Sequence, residues 1–424
     1  MSSTADVVGP DRTAPPPLEE EQLPGGLAGL RQKAWLNLRT GNLGPVPIIV
    51  GEVIVVIIFA FTATNFFTAV NFVNLIEESA GTAMLAFGVV FVLLLGEIDL
   101  SIGYLAGISA LVVAELQLPG TAQHMNGIFA MLIAVIVVAL IGGFQGSIVA
   151  YVGVPSFVVT LAGFLIWQGV ILNKLEQRGT IIIQDRWINY TDLYIFSPLA
   201  GWIIAFIVTL LYPLSLLYKA MVARGTRIAA QNWWIVGLKA VGIGIAAFGT
   251  VAICNHAKII EKQEGLPLAL VIVVFFFIVL TFLAKWTTFG RHVYAVGGNA
   301  EAARRAGINV PRIRVLVFMI SGATAAIGGI IFAAQVNSVA LTFPPGNLLL
   351  NAIASAVIGG VSLFGGRGEV RGALLGALLI GTLQNGLNTL SISNGWIYIV
   401  TGLVLLGAVT LDTFARRLQV RSGR

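Results

Sequence analysis

Apolar runs of about 18 or more residues, nearly free of charge, recur from Pro45 to Asp412, and no other feature limits the fold as strongly. Each run is long enough to cross the hydrocarbon core of a bilayer as a helix. A backbone in lipid must satisfy its hydrogen bonds internally, which leaves a helix bundle or a closed barrel. The runs are continuously apolar and lack the alternation of a barrel strand. The expected fold class is therefore an all-α polytopic membrane protein. Its 424 residues are only 10% charged, where a soluble domain carries about a quarter.

Twelve spans are expected: 45–63, 72–95, 101–118, 127–150, 155–173, 199–218, 233–255, 267–285, 314–335, 347–364, 371–390 and 395–412. The tenth follows Pro344, Pro345 and Gly346 and contains Gly359 and Gly360, so a short, interrupted or re-entrant helix is the alternative there. Basic residues set the orientation. With the N-terminus inside, the inside segments hold Arg31, Lys33 and Arg39; Lys219, Arg224 and Arg227; Lys285, Arg291, Arg304, Arg305, Arg312 and Arg314; Arg367 and Arg371; and Arg416, Arg417, Arg421 and Arg424. Outside, Lys174, Arg178, Arg186, Lys258 and Lys262 are offset by nearby carboxylates. Both termini are thus expected in the cytoplasm. Residues 1–40 read as a disordered cytoplasmic tail without a cleaved signal, 41–415 as the transmembrane domain, and 416–424 as a basic cytoplasmic tail.

The single cysteine, Cys254, excludes an internal disulfide and a cysteine-based metal site. The three histidines, His124, His256 and His292, read as loop residues, and neither a metal nor another cofactor is expected. The net charge of +6 belongs to cytoplasmic loops and carries no nucleic-acid implication. No Gly-Lys pair occurs, so the chain has no phosphate-binding loop for ATP. No nucleophile–base arrangement is visible either, and an enzyme is not expected.

Four segments carry more specific information. Residues 286–313 form the longest basic stretch between spans. Within it Asn299 is placed to cap a helix N-terminus, and Ala302 and Ala303 continue it. Glu301 falls in its first turn and Arg304 and Arg305 in its last, matching the helix dipole. Gly307 supplies a left-handed stop before Ile308, and Pro311 follows. The product is a two-turn helix free of the membrane; an ordinary solvated connector fits the same residues. Residues 96–103 hold Asp99, Leu100, Ser101 and Gly103, with Asp99 read as a cap at the inside boundary of the third span and a role in gating or in ATPase contact as the alternative. Gly103 and Gly107, like Gly372 and Gly376, have the spacing that lets helix backbones approach.

These segments resemble permeases of the ribose, xylose and arabinose family of ATP-binding-cassette importers. The stretch 297–311 looks like the family's coupling helix, which docks on the ATPase subunit. Gly-Glu-Ile-Asp-Leu-Ser-Ile-Gly at 96–103, Gly-Val-Pro-Ser-Phe-Val-Val-Thr-Leu-Ala-Gly at 153–163, and Gln384-Asn385-Gly386-Leu387-Asn388 with Leu411-Asp412 are similar to its further motifs. The block 199–265 departs from the ribose-type pattern and looks more like the xylose type. The resemblance implies an ATPase subunit and an extracytoplasmic sugar-binding protein as partners, a homodimer of permeases in membrane lipid, and a monosaccharide cargo, xylose first. Branched-chain amino acids or nucleosides are alternative cargoes on a similar scaffold.

Polar residues within spans are costly unless they face a bundle interior or a water-filled cavity. Candidates for lining the path are Gln145, Gln168, Asn173, Gln335, Asn337, Asn351, Gln384, Asn385 and Asn388, with Glu52. Amides supply the donors and acceptors that a neutral polyol needs, although helix–helix hydrogen bonds use the same residues. An ion-coupled secondary transporter would need ionisable residues deep in spans, and Glu52 is the one expected there. A membrane enzyme or scaffold would need catalytic clusters or soluble domains, and the sequence offers neither.

Overall fold

The computed structural model of the chain describes residues 46–222, 233–257, 264–343 and 347–421. The expected N-terminal tail, and Arg224, Arg227, Lys258, Lys262, Pro344, Pro345 and Gly346, lie outside the described residues. Each of the twelve expected spans coincides with a helix. They are α1 (Val46–Thr62), α2 (Ala69–Leu94), α3 (Ile102–Leu116), α4 (Gly127–Ser147) and α5 (Ser156–Arg178), then α7 (Pro198–Val222), α8 (Trp233–Cys254) and α9 (Leu268–Trp286). The last four are α12 (Val310–Gln335), α13 (Leu348–Ile358), α14 (Val370–Thr389) and α15 (Asn394–Arg421). Among the described residues, seven helices are long and apolar enough to cross a membrane unaided: α2, α4 with its continuation to Val152, α5, parts of α7 and α8, α9 and α12.

Three helices lie outside the expected spans. One is α6 (Arg186–Leu193), in the segment expected outside. The other two, α10 (Thr288–Gly298) and α11 (Ala300–Arg305), fill the segment expected inside. His292 therefore lies on a helix, because Thr287 caps α10 by accepting from Gly290 N at 3.1 Å. Short antiparallel pairs tie the outer segments together: β1 (Ile181–Ile182) with β4 (Ser338–Val339), and β2 (Ile195–Phe196) with β3 (Leu266–Pro267). Asp185 caps two helices there, accepting from Trp187 N at 2.8 Å for α6 and from Gly127 N at 3.0 Å for α4.

The core forms around α2 and α12, which pack on one another and on α3. Small residues make this possible. A Cβ on Gly322 would strike the Val138 carbonyl of α4, and one on Gly329 the Ala106 carbonyl of α3. Ser109 Oγ takes advantage of the close approach and donates to Ala326 O at 2.9 Å. With no hydrophobic force between helices in lipid, such backbone proximity is what holds a bundle together. By contrast, α7 and α8 pack on each other at the periphery, where Trp202 stacks on Phe248 at 5.9 Å.

The tenth expected span, 347–364, is shorter than its range. With 11 residues, α13 is about 17 Å long, against a core of about 30 Å. Gly360 ends it in a left-handed conformation (φ 82°), and Val361 N donates back to Ala356 O at 3.1 Å. The chain then turns through Gly365 and Gly366 before α14. Backbone bonds hold this turn against the bundle: Gly366 N donates to Leu94 O at 2.8 Å.

Candidate functional site

Two sites emerge at opposite ends of the bundle. The first is a cavity of about 460 Å³, within the usual range of small-molecule sites. Five helices build it. Glu78 and Thr82 come from α2, Phe332 and Gln335 from α12, Leu348 and Asn351 from α13 with Asn347 just before it, Gln384 and Asn388 from α14, and Ile397 and Tyr398 from α15. Four of the candidate amides, Gln335, Asn351, Gln384 and Asn388, thus converge on one space. The others do not. Gln145 lies buried between α3 and α4, Gln168 is half-buried on α5, Asn173 is exposed on the same helix, and Asn337 (φ 51°) forms the turn before β4. Glu52 meets α14 elsewhere, accepting from Thr382 Oγ1 at 2.7 Å.

Asn385 stands behind the cavity wall, 3% exposed. Its Oδ1 accepts from Asn71 Nδ2 at 2.8 Å, and its Nδ2 donates to Glu78 Oε2 at 3.3 Å. Asn71 is itself oriented by donating to Phe66 O at 3.0 Å. The relay has one direction: Asn385 has only N–H groups left to offer Glu78, which suits a carboxylate. Sequence reasoning missed Glu78, Thr82 and Tyr398. The signal for Glu78 was present, since Glu77 and Glu78 interrupt an otherwise apolar span; Glu52 is not the sole carboxylate within the helices.

The second site is the segment 286–313. Asn299 Oδ1 accepts from Ala302 N at 2.9 Å and starts α11. Gly307 (φ 85°) ends it, with Ile308 N donating to Ala303 O and Gly307 N to Arg304 O, both at 3.0 Å. Pro311 does not merely stop α11; it occupies the first turn of α12, where its missing N–H is harmless. Ala303 is buried, whereas Glu301, Arg304 and Arg305 are 57%, 64% and 79% exposed. Glu301 lies 3.3 Å from each arginine, but exposed pairs of this kind contribute only about 0.2–1 kcal/mol. Their charges therefore do little for the fold and present themselves to solvent.

The segment is fastened to two turns of the bundle. A Cβ on Gly297 would strike the Leu94 carbonyl at the end of α2 and approach Gly366 N of the α13–α14 turn at 2.8 Å. Tyr294 Oη donates to Gly368 O at 2.7 Å, Lys285 pairs with Glu369 at 2.8 Å, and Arg314 pairs with Glu97 at 3.1 Å. Burial, and then the Glu369 carboxylate, raises the Tyr294 phenol above its ordinary range, so it keeps the proton it donates.

Asp99 departs from its expected place at the boundary. Its Oδ1 accepts from Ser101 N at 3.0 Å and Ser101 Oγ at 2.6 Å, and its Oδ2 accepts from Ser321 Oγ at 2.9 Å. Ser321 lies seven residues along α12 from Arg314, the partner of Glu97, or about 10 Å deeper. The turn dips back into the bundle, leaving Asp99 4% exposed. Gln145 Oε1 joins this network 3.0 Å from Ser101 Oγ. Leu100 belongs to the same turn, and Gly103 lets α3 approach Leu349 of α13. The 153–163 segment locks on through Ser156 Oγ, which accepts from Ile98 N at 3.1 Å, and Thr160 Oγ1, which donates to Ile98 O at 3.1 Å.

An apolar helix bundle with a polar cavity at one end, and a short charged helix fastened to the other, defines an all-α polytopic membrane permease. The chain belongs to the family described as branched-chain amino acid transport system / permease component, whose model matches residues 71–409. It is 34% identical over 386 residues to a xylose transport system permease protein of Haemophilus influenzae, covering 89% of this chain and 98% of the relative. The xylose transport system permease protein of Escherichia coli K12 is 31% identical over 401 residues (93% and 95%). A ribose import permease protein of Bacillus subtilis is 30% identical over 371 residues (88% and 92%). No solved structure matches the chain. With this kinship and its apolar helices, it is a multi-pass protein of the cytoplasmic membrane.

Proposed function

We propose that this chain is the membrane-spanning subunit of an ATP-binding-cassette importer that moves a monosaccharide, a pentose such as xylose, into the cell. A separate ATPase drives it and an extracytoplasmic sugar-binding protein supplies it. The observation that carries the cargo class is the lining of the cavity. Amides from three helices offer donors and acceptors suited to hydroxyl groups, and Phe332 and Tyr398 add rings for the apolar face of a sugar. Among the described lining residues there is no Lys or Arg to hold the carboxylate of an amino acid, the cargo in the family's description. The xylose and ribose relatives support the same reading.

In the proposed mechanism two copies of the chain surround the path, each presenting α11 to one ATPase. Closure of the ATPases on ATP draws the two α11 helices together. The fastenings at Gly297, Tyr294, Lys285 and Arg314 pass that displacement to α2, α12 and the α13–α14 turn, and the helices α2, α12, α13 and α14 carry it to the cavity that they line at their other ends. The test is co-purification in detergent with the ATPase encoded beside it, comparing the full chain with a deletion of 299–307. Association lost in the deletion supports the reading. Glu301→Lys with Arg305→Glu should keep the fold yet uncouple ATP hydrolysis from uptake.

The carboxylates Glu52 and Glu78 within the helices favour a second reading, an ion-coupled transporter. Reconstituted protein that moves sugar down an ion gradient with no ATPase present would establish it instead.

A further inference from the structure

The cavity contains one ionisable acid, Glu78, and no described base. Salt bridges elsewhere on the described surface involve other carboxylates: Glu115, Glu369, Glu301 and Glu97. Glu77, its neighbour, is buried in α2 and has its own interactions. The Asn71–Asn385 relay presents an N–H donor to Glu78 Oε2 from behind and leaves Oε1 with no protein donor among the described residues. Opposite, Asn351 is 3% exposed and its Oδ1 has no hydrogen-bond partner in the protein, although it lines the same space. A fixed carboxylate and an unpartnered buried amide facing one cavity make a built site for a ligand rich in hydroxyl donors.

We infer that Glu78 is the specificity-determining residue of this cavity. Its carboxylate accepts hydroxyl groups of a neutral sugar and turns away ligands carrying a negative group, such as sugar acids and sugar phosphates. The inference deepens the sugar-permease reading and depends on it for the identity of the cargo, but the charge filter is a property of the cavity alone. A single negative charge in a half-buried site favours a cation over an anion at neighbouring positions by about tenfold or more.

The filter can be read without transport. Asn388→Cys places a thiol in the cavity of the full-length chain, while the native Cys254 is buried. Its reaction rates with a cationic (trimethylammonium) and an anionic (sulfonate) methanethiosulfonate are compared. The cation-to-anion rate ratio should fall about tenfold on adding Glu78→Gln and stay within about twofold on adding Glu78→Asp. An unchanged ratio in Glu78→Gln overturns the inference. Should Glu78→Gln fail to fold, the ratio at Asn388→Cys is set against that at Gln123→Cys, an exposed position between α3 and α4 with no Asp, Glu, Lys or Arg beside it in sequence; equal ratios overturn it. ATP-dependent uptake of xylose by the reconstituted importer is a separate arm. A charge-selective cavity with no sugar uptake sinks the sugar reading and leaves the filter standing, whereas uptake with no charge selectivity does the reverse.

Discussion

At the scale of single residues, the polar groups inside the bundle divide into those that bond to protein and those that face the cavity. Asp99 is of the first kind. Its carboxylate collects donors from Ser101 and Ser321 in a site 4% exposed, without a salt bridge among the described residues. Each such hydrogen bond contributes about 0.5–1.5 kcal/mol net, and orphaned buried donors add to the loss. Asp99→Ala should therefore cost about 3 kcal/mol and lower the thermal midpoint in detergent by several degrees. Asp99→Asn, which keeps the volume, should fall in between; a midpoint unchanged in Asp99→Ala would show that the network holds nothing together. The sequence distinguishes the two kinds poorly. Gln145 and Asn351 read alike there, yet one joins the Asp99 network and the other lines the cavity. Interhelical bonding and ligand binding draw on the same side chains, so only the helix register separates them. Glu78 was legible as an interruption of an apolar run, but nothing local revealed that Asn385, 307 residues away, would present a donor to it.

At the scale of elements, the helices followed directly from the apolar runs, because a membrane leaves the backbone no other use for them. The exceptions are instructive. The shortness of α13 and the existence of α10 follow from packing, and both meet at a backbone junction of Leu94, Gly297 and Gly366. Glycine at 297 is required by proximity: its place against the Leu94 carbonyl has no room for a Cβ, and the obstacle is backbone that cannot rotate away. A Cβ on Gly298, the next residue, would meet nothing within 4 Å. Gly297→Ala should thus loosen the hold of α10 on the bundle, costing about 1–3 kcal/mol as overpacking does, and lower ATP-coupled uptake. Gly298→Ala should be tolerated on both measures. Equal behaviour of the two variants would mean that the junction is a passive contact.

At the scale of the whole molecule, one helix connects both sites. With 26 residues α12 is about 39 Å long, more than the core of a bilayer. Its first turn follows α11, Arg314 meets Glu97, Ser321 meets Asp99, and Phe332 and Gln335 reach the cavity. The same polarity repeats in the other lining helices. Glu78 and Thr82 lie in the first half and at the middle of α2 and Leu94 at its end, while α14 starts beside the α13–α14 turn and carries Gln384 and Asn388 near its end. The cavity and the charged helix therefore cannot share a face of the membrane. In the orientation we propose from the distribution of Lys and Arg, the charged helix lies in the cytoplasm and the cavity is extracytoplasmic, where a binding protein would deliver its sugar. A membrane-impermeant thiol reagent tests this order in one experiment. Gln123→Cys, between α3 and α4 at the cavity end, should react in intact cells, and Gly298→Cys only in inside-out vesicles. The reverse pattern would place the cavity in the cytoplasm and turn the direction of transport around, because an importer cannot receive sugar from a binding protein at a cavity that faces inward.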